Sequence, residues 1–298
     1  MSNGGTATTD YLSGEELYQK RARAALPLLV RQVAARATIF YSDLATELAM
    51  PNPRNLNHVL GYIGTALESL SRDWDEEIPP IQCVIINKED RLAGEAVGYF
   101  ITDLVAFRKR PRKDQWRLLD LELTKIWEFP KWPSVLSILG LPQPATNYAE
   151  AILQAGRLGA TQESRASSFG TGGESPNHKN LKNYIARHPE IVGLPARVRP
   201  GRIECPLKSG DTLDVFFTSG KDRVAIEVKS KISQLEDIVR GMFQCIKYKA
   251  VLEAEQAAEQ LPQSARAILV LESKLPENLV ALKNILGIEL IEEVKPYD

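Results

Sequence analysis

The chain has 298 residues and a mass of 33.2 kDa, enough for two domains of ordinary size that each bury a core. Its net charge of −1 excludes a general positive field for nucleic acid, so any DNA affinity has to come from local patches. No apolar run is long enough for a membrane span, and we do not expect the polar N-terminal residues to be a secretory signal or a transit peptide. The three cysteines are widely spaced, which predicts neither disulfides nor a zinc site. Together these features lead us to expect a cytoplasmic protein without membrane partners.

The N-terminal part of the chain has helical periodicity in three successive segments. They run from about Gly14 to Arg36, from Tyr41 to Met50 and from Arg54 to Ser71. The apolar run from Ile81 to Asn87 then predicts a strand. Three helices and a β element are typical of a helix-turn-helix or winged-helix unit, in which Asn52 to Tyr62 would be the recognition segment.

Three short pieces of this region carry a resemblance: Phe40 to Ala45, Pro80 to Ile85 and Arg91 to Gly94. They are similar to the DNA-binding domain of O6-alkylguanine DNA alkyltransferases and alkyltransferase-like proteins. Because Ile81 fills the acceptor position, the resemblance implies DNA binding without methyl transfer through a thiolate. Asn57 falls where that family places its base-displacing residue. A helical scaffold that binds protein is the alternative.

A densely basic run from Phe107 to Lys113 is the clearest local positive patch. It could neutralise several phosphates, although a solvated loop has the same composition. The residues expected to contact double-stranded DNA lie in this run and at the start of the third helix: Arg54, Asn57, Arg108, Lys109, Arg110, Arg112 and Lys113.

The middle of the chain contains the expected domain boundary. Trp116 to Leu123 is predicted as a strand, and a helix is predicted from Thr146 to Leu158. The next segment, 159–173, is rich in Gly, Ser and Thr and has the composition of a flexible linker. We therefore expect a winged-helix-like domain over 1–158 and a second domain over 174–298.

The second domain is predicted to have the element order αβββαβαβ. Ser175 and Pro176 start a helix that ends at Pro189, and Ser233 to Glu236 form a capping box for a long helix. Apolar residues at helical spacing give this long helix its predicted core stripe of Leu235, Ile238, Val239, Met242 and Ile246. The remaining predicted elements are strands at Ala196–Leu207, 213–217, 224–228, Ala265–Leu271 and Ile288–Val294, and a helix at Pro276–Leu286.

Two of these strands form a hairpin with unusual charge. Asp214 lies in the first strand, and alternation places Glu227 and Lys229 on one face of the second. Carboxylates in apolar strands cost several kcal/mol in desolvation unless a cation compensates them. A hard divalent ion with oxygen ligands would do so, which predicts a Mg²⁺ site. Downstream, Gln244 and Tyr248 share one helix face at i and i+4.

Asp214, Glu227-Val228-Lys229 and Gln244-x-x-x-Tyr248 together resemble the PD-(D/E)XK nuclease superfamily, in its RecB-like variant. The resemblance implies an α/β core of αβββαβ type, a mixed sheet flanked by helices. It also implies that Mg²⁺ or Mn²⁺ is bound by Asp214, Glu227 and the Val228 carbonyl, with Lys229 acting on the attacking water. Gln244 and Tyr248 would orient the site, and Glu174 is the expected additional acid from the first helix.

The function expected from these patterns is that of a Mg²⁺-dependent DNA endonuclease, used in restriction, phage defence or DNA repair. Its partner would be double-stranded DNA, and the sequence is compatible with a homo-oligomer. Two alternatives stay open. One is a catalytically silent nuclease fold that binds DNA or protein, and the other is an RNA-directed nuclease.

Overall fold

The computed structural model describes residues 11–144 and 175–296. The chain divides into two compact units, Met1–Thr146 and Asn147–Asp298. Three predictions, the helix from Thr146 to Leu158, the linker 159–173 and the acid Glu174, lie outside the described residues. No helix in the described ranges is long and apolar enough to cross a membrane.

The described part of the first unit is mainly helical, as predicted. Its strands, β1 (Ile39–Phe40) and β2 (Ile85–Ile86), pair in parallel. Its helices are α1 (Leu17–Ala34), α2 (Tyr41–Glu47), α3 (Leu56–Trp74), α4 (Leu104–Lys109), α5 (Arg112–Glu128) and α6 (Trp132–Ile138). The apolar faces of α1 and α3 contribute many residues of its core. Whether this unit is a winged helix stays a prediction.

One strand prediction in the first unit is wrong in the described structure, and another is confirmed only in part. Trp116 to Leu123 is part of helix α5, whose buried positions Gln115, Leu119 and Ile126 follow helical spacing. Ile81 to Asn87 begins with a 3₁₀ turn, Ile81–Val84, and only the two residues of β2 pair as a strand.

The second unit contains a five-stranded mixed sheet with the order β3-β4-β5-β6-β7. Strands β3, β4 and β5 are antiparallel, and β5, β6 and β7 are parallel. The strands are β3 (Arg202–Pro206), β4 (Thr212–Ser219), β5 (Asp222–Lys229), β6 (Arg266–Leu271) and β7 (Glu289–Ile291). The helices are α7 (Pro176–Arg187), α8 (Leu235–Ala258) and α9 (Glu277–Ile285). The predicted α/β class and the predicted element order are therefore confirmed.

Both faces of this sheet are covered by helices. Helix α7 packs on one face against Val215, Phe217 and Ile226. Helices α8 and α9 contribute to a separate apolar cluster that includes Phe216 and Leu269. The central strand β5 is consequently buried along most of its length, as expected for a strand covered on both faces. A polar side chain on β5 therefore has to find its partners inside the protein.

Three details of the second unit differ from the sequence predictions. The strand predicted over Ala196–Leu207 is limited to β3, because Pro195 and Pro200 lack the N–H that a ladder needs and a turn closes from Val198 to Pro195. The capping box of α8 uses Gln234 and Asp237 rather than Ser233 and Glu236. In the predicted core stripe, Leu235 and Ile246 are each 38% exposed, whereas Cys245 and Tyr248 are buried.

Candidate functional site

The candidate site lies at the end of the ladder between β4 and β5. The pairing runs from Ser219↔Asp222 to Val215↔Ile226, so Asp214 is the first residue of β4 beyond the paired part. At this end the Asp214 carboxylate accepts a hydrogen bond from the backbone N–H of Val228 at 2.9 Å. A side chain thus takes the place of a ladder partner, which fixes Asp214 beside strand β5.

Glu227 and Lys229 form a buried ion pair on one face of β5. The Lys229 Nζ atom donates to Glu227 Oε1 at 2.6 Å. The side chain of Lys229 is only 12% exposed, and that of Glu227 is 4% exposed. The pairing follows from strand alternation, because residues two apart project to the same face. The sequence prediction that these two residues share a face is therefore met in the structure.

Helix α8 passes directly over this ion pair at Gly241. A Cβ atom at Gly241 would lie 2.9 Å from Lys229 Cε, 3.0 Å from Leu269 Cδ1 and 3.4 Å from Glu227 Cγ. The first two distances are shorter than ordinary van der Waals contacts. The missing side chain therefore leaves the space that the Lys229 stem occupies under the helix.

Burial and charge shift the pKa values of the three ionisable groups in different directions. Burial raises the pKa of Glu227 to about 7; the Lys229 charge opposes this shift and the Asp214 charge adds to it. Burial alone would lower the pKa of Lys229, but the charge and hydrogen bond of Glu227 outweigh it and the net shift is upward. Burial would raise the pKa of Asp214, yet bonds from His178 and the Val228 N–H keep it below its usual value.

His178 is a member of this cluster that the sequence analysis did not identify. Its Nε2 atom lies 3.3 Å from Asp214 Oδ1, and its side chain is 21% exposed. The signal that could have found it is the helix start at Ser175, whose side chain caps the N–H of His178. That cap fixes His178 in the first turn of α7, the end of the helix that reaches β4.

Gln244 and Tyr248 contact each other on the inner side of α8. Gln244 Nε2 donates to the Tyr248 hydroxyl at 3.1 Å, and that hydroxyl donates to the Thr212 carbonyl at 3.2 Å. Tyr248 is 2% exposed, and burial raises the pKa of its hydroxyl, which keeps it a donor. Gln244 Oε1 is buried and has no hydrogen-bond partner among the described residues. The pair thus fixes α8 to the start of β4, two residues from Asp214.

The Val228 carbonyl faces the same end of the ladder. The Lys229 carbonyl accepts from the N–H of Glu272, on the side of strand β6. Successive residues of a strand direct their backbone groups to opposite sides, so the N–H and carbonyl of Val228 both face β4. The Val228 N–H is the group that Asp214 accepts, which agrees with this orientation.

The residues present suit a hard divalent ion. Asp214, Glu227 and the Val228 carbonyl offer only oxygen atoms, the donors that Mg²⁺ prefers, and Mg²⁺ commonly uses one or two carboxylates with water completing its shell. The raised pKa of Glu227 means that its ionised form lacks full compensation from Lys229. Within residues 11–144 and 175–296, no group of three or more His, Cys, Asp and Glu side chains is arranged to hold a metal. Any ion here would therefore keep several water or substrate ligands.

The residues predicted to bind DNA lie on the surface of the first unit. Arg54 is in a 3₁₀ turn before α3, and Asn57 is in the first turn of that helix, both exposed. The basic run Arg108 to Lys113 spans the end of α4 and the start of α5 and is also exposed. Gln115 fixes the run by donating to the carbonyls of Arg108 and Arg110. Arg112 lies 3.5 Å from Asp90, so part of its charge is already balanced.

Comparison of the chain with protein-family models, with curated proteins and with solved structures found no match. A function for this chain therefore has to be inferred from its own residues and their geometry.

Proposed function

We propose that the protein is a Mg²⁺-dependent deoxyribonuclease that hydrolyses phosphodiester bonds with a PD-(D/E)XK site in its second unit. The observation that carries this proposal is the buried Lys229–Glu227 pair beside Asp214 at the open end of a β-ladder. Pairing a lysine with two carboxylates inside a sheet is expensive in desolvation, and such perturbed groups cluster at functional sites. The element order αβββαβαβ supports the same class of fold.

The proposed metal ligands are Asp214, Glu227 and the carbonyl of Val228. When bound there, Mg²⁺ supplies Lewis-acid polarisation of the scissile phosphate and lowers the pKa of the attacking water. The bond from the Val228 N–H holds Asp214 in place, and the bond from Lys229 orients Glu227. Both carboxylates are therefore positioned before any ion arrives, which reduces the reorganisation that binding requires.

Lys229 is the proposed group for handling protons and charge at the phosphate. Its ammonium lies 2.6 Å from Glu227 in a region where little solvent competes. From this position it stabilises the developing negative charge and orients the attacking water. Gln244 supplies a buried carbonyl oxygen without a partner among the described residues, which can accept a hydrogen bond from a buried water. Tyr248 holds Gln244, and His178 holds Asp214.

A second candidate is a nuclease fold that binds DNA or protein without cleaving. One observation favours it: the described residues contain no third carboxylate arranged with Asp214 and Glu227 around a metal position. In that case Lys229 and Glu227 would only neutralise each other. Cleavage by the purified protein distinguishes the two candidates directly.

The test uses the purified full chain with supercoiled plasmid, linear duplex and single-stranded DNA, in Mg²⁺, in Mn²⁺ or in EDTA. We expect metal-dependent cleavage that Glu227→Gln and Lys229→Met each reduce by at least about a thousandfold, because both act on charge in the transition state. Circular dichroism and urea unfolding of each variant control for folding. Equal cleavage in EDTA, or near-normal cleavage by a folded Lys229→Met protein, would exclude the proposed site.

A further inference from the structure

Four exposed arginines cluster at one edge of the sheet in the second unit. They are Arg187 at the end of α7, Arg197 and Arg199 in the following loop, and Arg202 at the start of β3. Strand β3 is an edge strand, because it pairs only with β4. The cluster is separate in sequence from the basic run of the first unit.

One backbone bond brings the two ends of this segment together. The N–H of Gly201 donates to the carbonyl of Ala186 at 2.8 Å, which joins the loop to the end of α7. Val198 packs against the core on this face, so Arg197 and Arg199 on either side of it project away from the core. The guanidinium of Arg202 lies 5.1 Å from the centre of the Phe216 ring, so Arg202 is held on the other face of the edge strand from Val198, the face that α8 and α9 cover.

The positive charge of the cluster is not balanced within the described residues. No carboxylate of a described residue lies within 4.0 Å of any of the four guanidinium groups. The nearby acids have other partners: Glu190 pairs with His188 at 2.8 Å, and Glu204 pairs with Lys182 at 2.9 Å. In a chain with a net charge of −1, this edge is therefore a local positive patch.

The cluster begins close to the proposed catalytic site and extends away from it. Arg202 pairs with Phe216, which is two residues from Asp214 along β4, or roughly 7 Å. Helix α7 starts at the Asp214 side with His178 and ends at Arg187, roughly 14 Å further along. A nucleic-acid backbone with one phosphate at Asp214 could therefore place neighbouring phosphates over the arginines.

We propose that Arg187, Arg197 and Arg199, with Arg202 across the edge strand, form a surface that binds the phosphate backbone of double-stranded DNA and holds it across the catalytic site. The choice of DNA as partner rests on the proposed function. Arginine suits this role because its planar fork donates two parallel hydrogen bonds to a phosphate. The surface gives the second unit its own contact with the substrate, independent of the basic run in the first unit.

A structural role for the same arginines makes a different prediction. Charged side chains on an edge strand prevent pairing with strands of other molecules. If that were their only role, removing them would cause association of the protein, while the DNA affinity of the remaining monomer would stay unchanged. Affinity and association state therefore have to be measured on the same samples.

The experiment measures binding of a fluorescent DNA duplex to the full chain in EDTA, across a series of salt concentrations. We expect Arg197→Ala/Arg199→Ala to lower affinity at least about tenfold and to reduce the slope of log K against log salt by about 2, one unit for each lost phosphate contact. The matched control is Lys249→Ala/Lys295→Ala, which removes two exposed charges elsewhere on the same unit and should change neither quantity by as much.

Four outcomes decide the proposal. The expected loss of affinity in monomeric protein, without a matching loss in the control, supports it. Unchanged affinity and slope, or association as the only effect, overturns it. A stronger and equally arginine-dependent affinity for duplex RNA overturns the choice of DNA. Because binding is measured without metal, arginine-dependent binding by a protein that never cleaves would overturn only the proposed nuclease activity.

Discussion

A lysine and a glutamate are buried together at the end of the central strand β5, although burial of ions is unfavourable. Their mutual attraction and one hydrogen bond offset part of the desolvation penalty, yet apolar residues of similar size often stabilise such positions more. The raised pKa of Glu227 is the sign of this incomplete compensation. A polar pair retained at this cost is easier to explain by chemistry than by stability.

This pair makes the stability of the metal-free protein dependent on pH. The pKa of Glu227 rises from 4.5 to about 7 on folding, so between these values the folded state holds a proton that the unfolded state has lost. The contribution of Glu227 to the free energy of unfolding should therefore fall as pH rises through this range, by up to about 1.4 kcal/mol per pH unit. Below pH 4.5 and above about pH 7, the contribution of Glu227 to the free energy of unfolding should not change with pH.

The measurement compares urea unfolding of the wild type and of Glu227→Gln in EDTA at several pH values. Glutamine keeps the shape of the side chain but cannot titrate, so the difference between the two proteins isolates Glu227. The wild type should lose stability relative to the variant as pH rises towards 7. Parallel pH profiles for the two proteins would contradict the assignment of a raised pKa to Glu227.

Gly241 should matter for activity more than for stability. In Gly241→Ala the new methyl group would meet Lys229 Cε at 2.9 Å and Leu269 Cδ1 at 3.0 Å. The flexible lysine stem can shift, and alanine favours the helix by about 1 kcal/mol, so we expect a small net change in stability. Displacement of Lys229 should lower cleavage at least about tenfold, since misplacement of about 1 Å can cost a hundredfold.

Gly61→Ala is the matched control for this substitution. Gly61 is also within a helix, α3, but a Cβ atom there would have nothing within 4 Å. Gly61→Ala should stabilise the protein slightly. Because Gly61 lies within the predicted recognition segment Asn52 to Tyr62, cleavage is compared at saturating DNA, where it should be unchanged. Normal cleavage by a folded Gly241→Ala protein would show that the Lys229 stem does not need the space under α8.

At the scale of elements, helix α8 both packs and positions polar groups. Tyr248→Phe keeps the buried ring but removes the bonds to Gln244 and Thr212, so we expect a loss of about 1 kcal/mol in stability. Cleavage should fall by about one to three orders of magnitude, because Gln244 would lose its support beside the site. A Gln244→Ala variant should lower cleavage similarly. A stability loss with unchanged cleavage per folded molecule would give both residues a purely structural role.

Elements with strong local signals could be predicted from the sequence. Prediction failed where the same apolar residues fit both the two-residue period of a strand and the 3.6-residue period of a helix. The Ser175-Pro176 helix start and the hairpin around Gly220 agree with the structure, because their turn and cap chemistry is local. Trp116 to Leu123 alternates like a strand, but Leu119, Leu123 and Ile126 also match a helix, which the packing selects. In α8 the buried face includes Gly241, Cys245 and Tyr248, whose size or polarity hides it from a pattern of large apolar residues.

The candidate site was predictable to the extent that it depends on neighbours in sequence. Glu227 and Lys229 share a face by strand alternation, and Gln244 and Tyr248 by helix spacing. His178 could not be assigned, because its contact with Asp214 depends on how α7 crosses the sheet. The packing of Gly241 over Lys229 is likewise a tertiary property. Local periodicity carries no information about such distances.

At the scale of the whole molecule, each unit has its own apolar clusters. The cluster of the first unit contains only described residues up to Leu141. The two clusters of the second unit lie on opposite faces of its sheet and contain residues from Leu181 onwards. Each unit therefore has the buried apolar surface that independent folding requires.

A fragment of residues 172–298 should fold alone into a single cooperative unit. It contains both apolar clusters, the whole five-stranded sheet and the Ser175 cap of α7. We expect one urea transition, coincident by circular dichroism and by fluorescence, as for other small single domains.

Since the fragment also retains Asp214, Glu227, Lys229 and the arginine cluster, it should still cleave DNA. Its affinity should be lower than that of the full chain, because the exposed basic run of the first unit is missing. A fragment that binds the dye ANS and lacks a cooperative transition would show that the second unit needs the first for folding, whereas a folded fragment with unchanged affinity would remove the first unit from DNA binding.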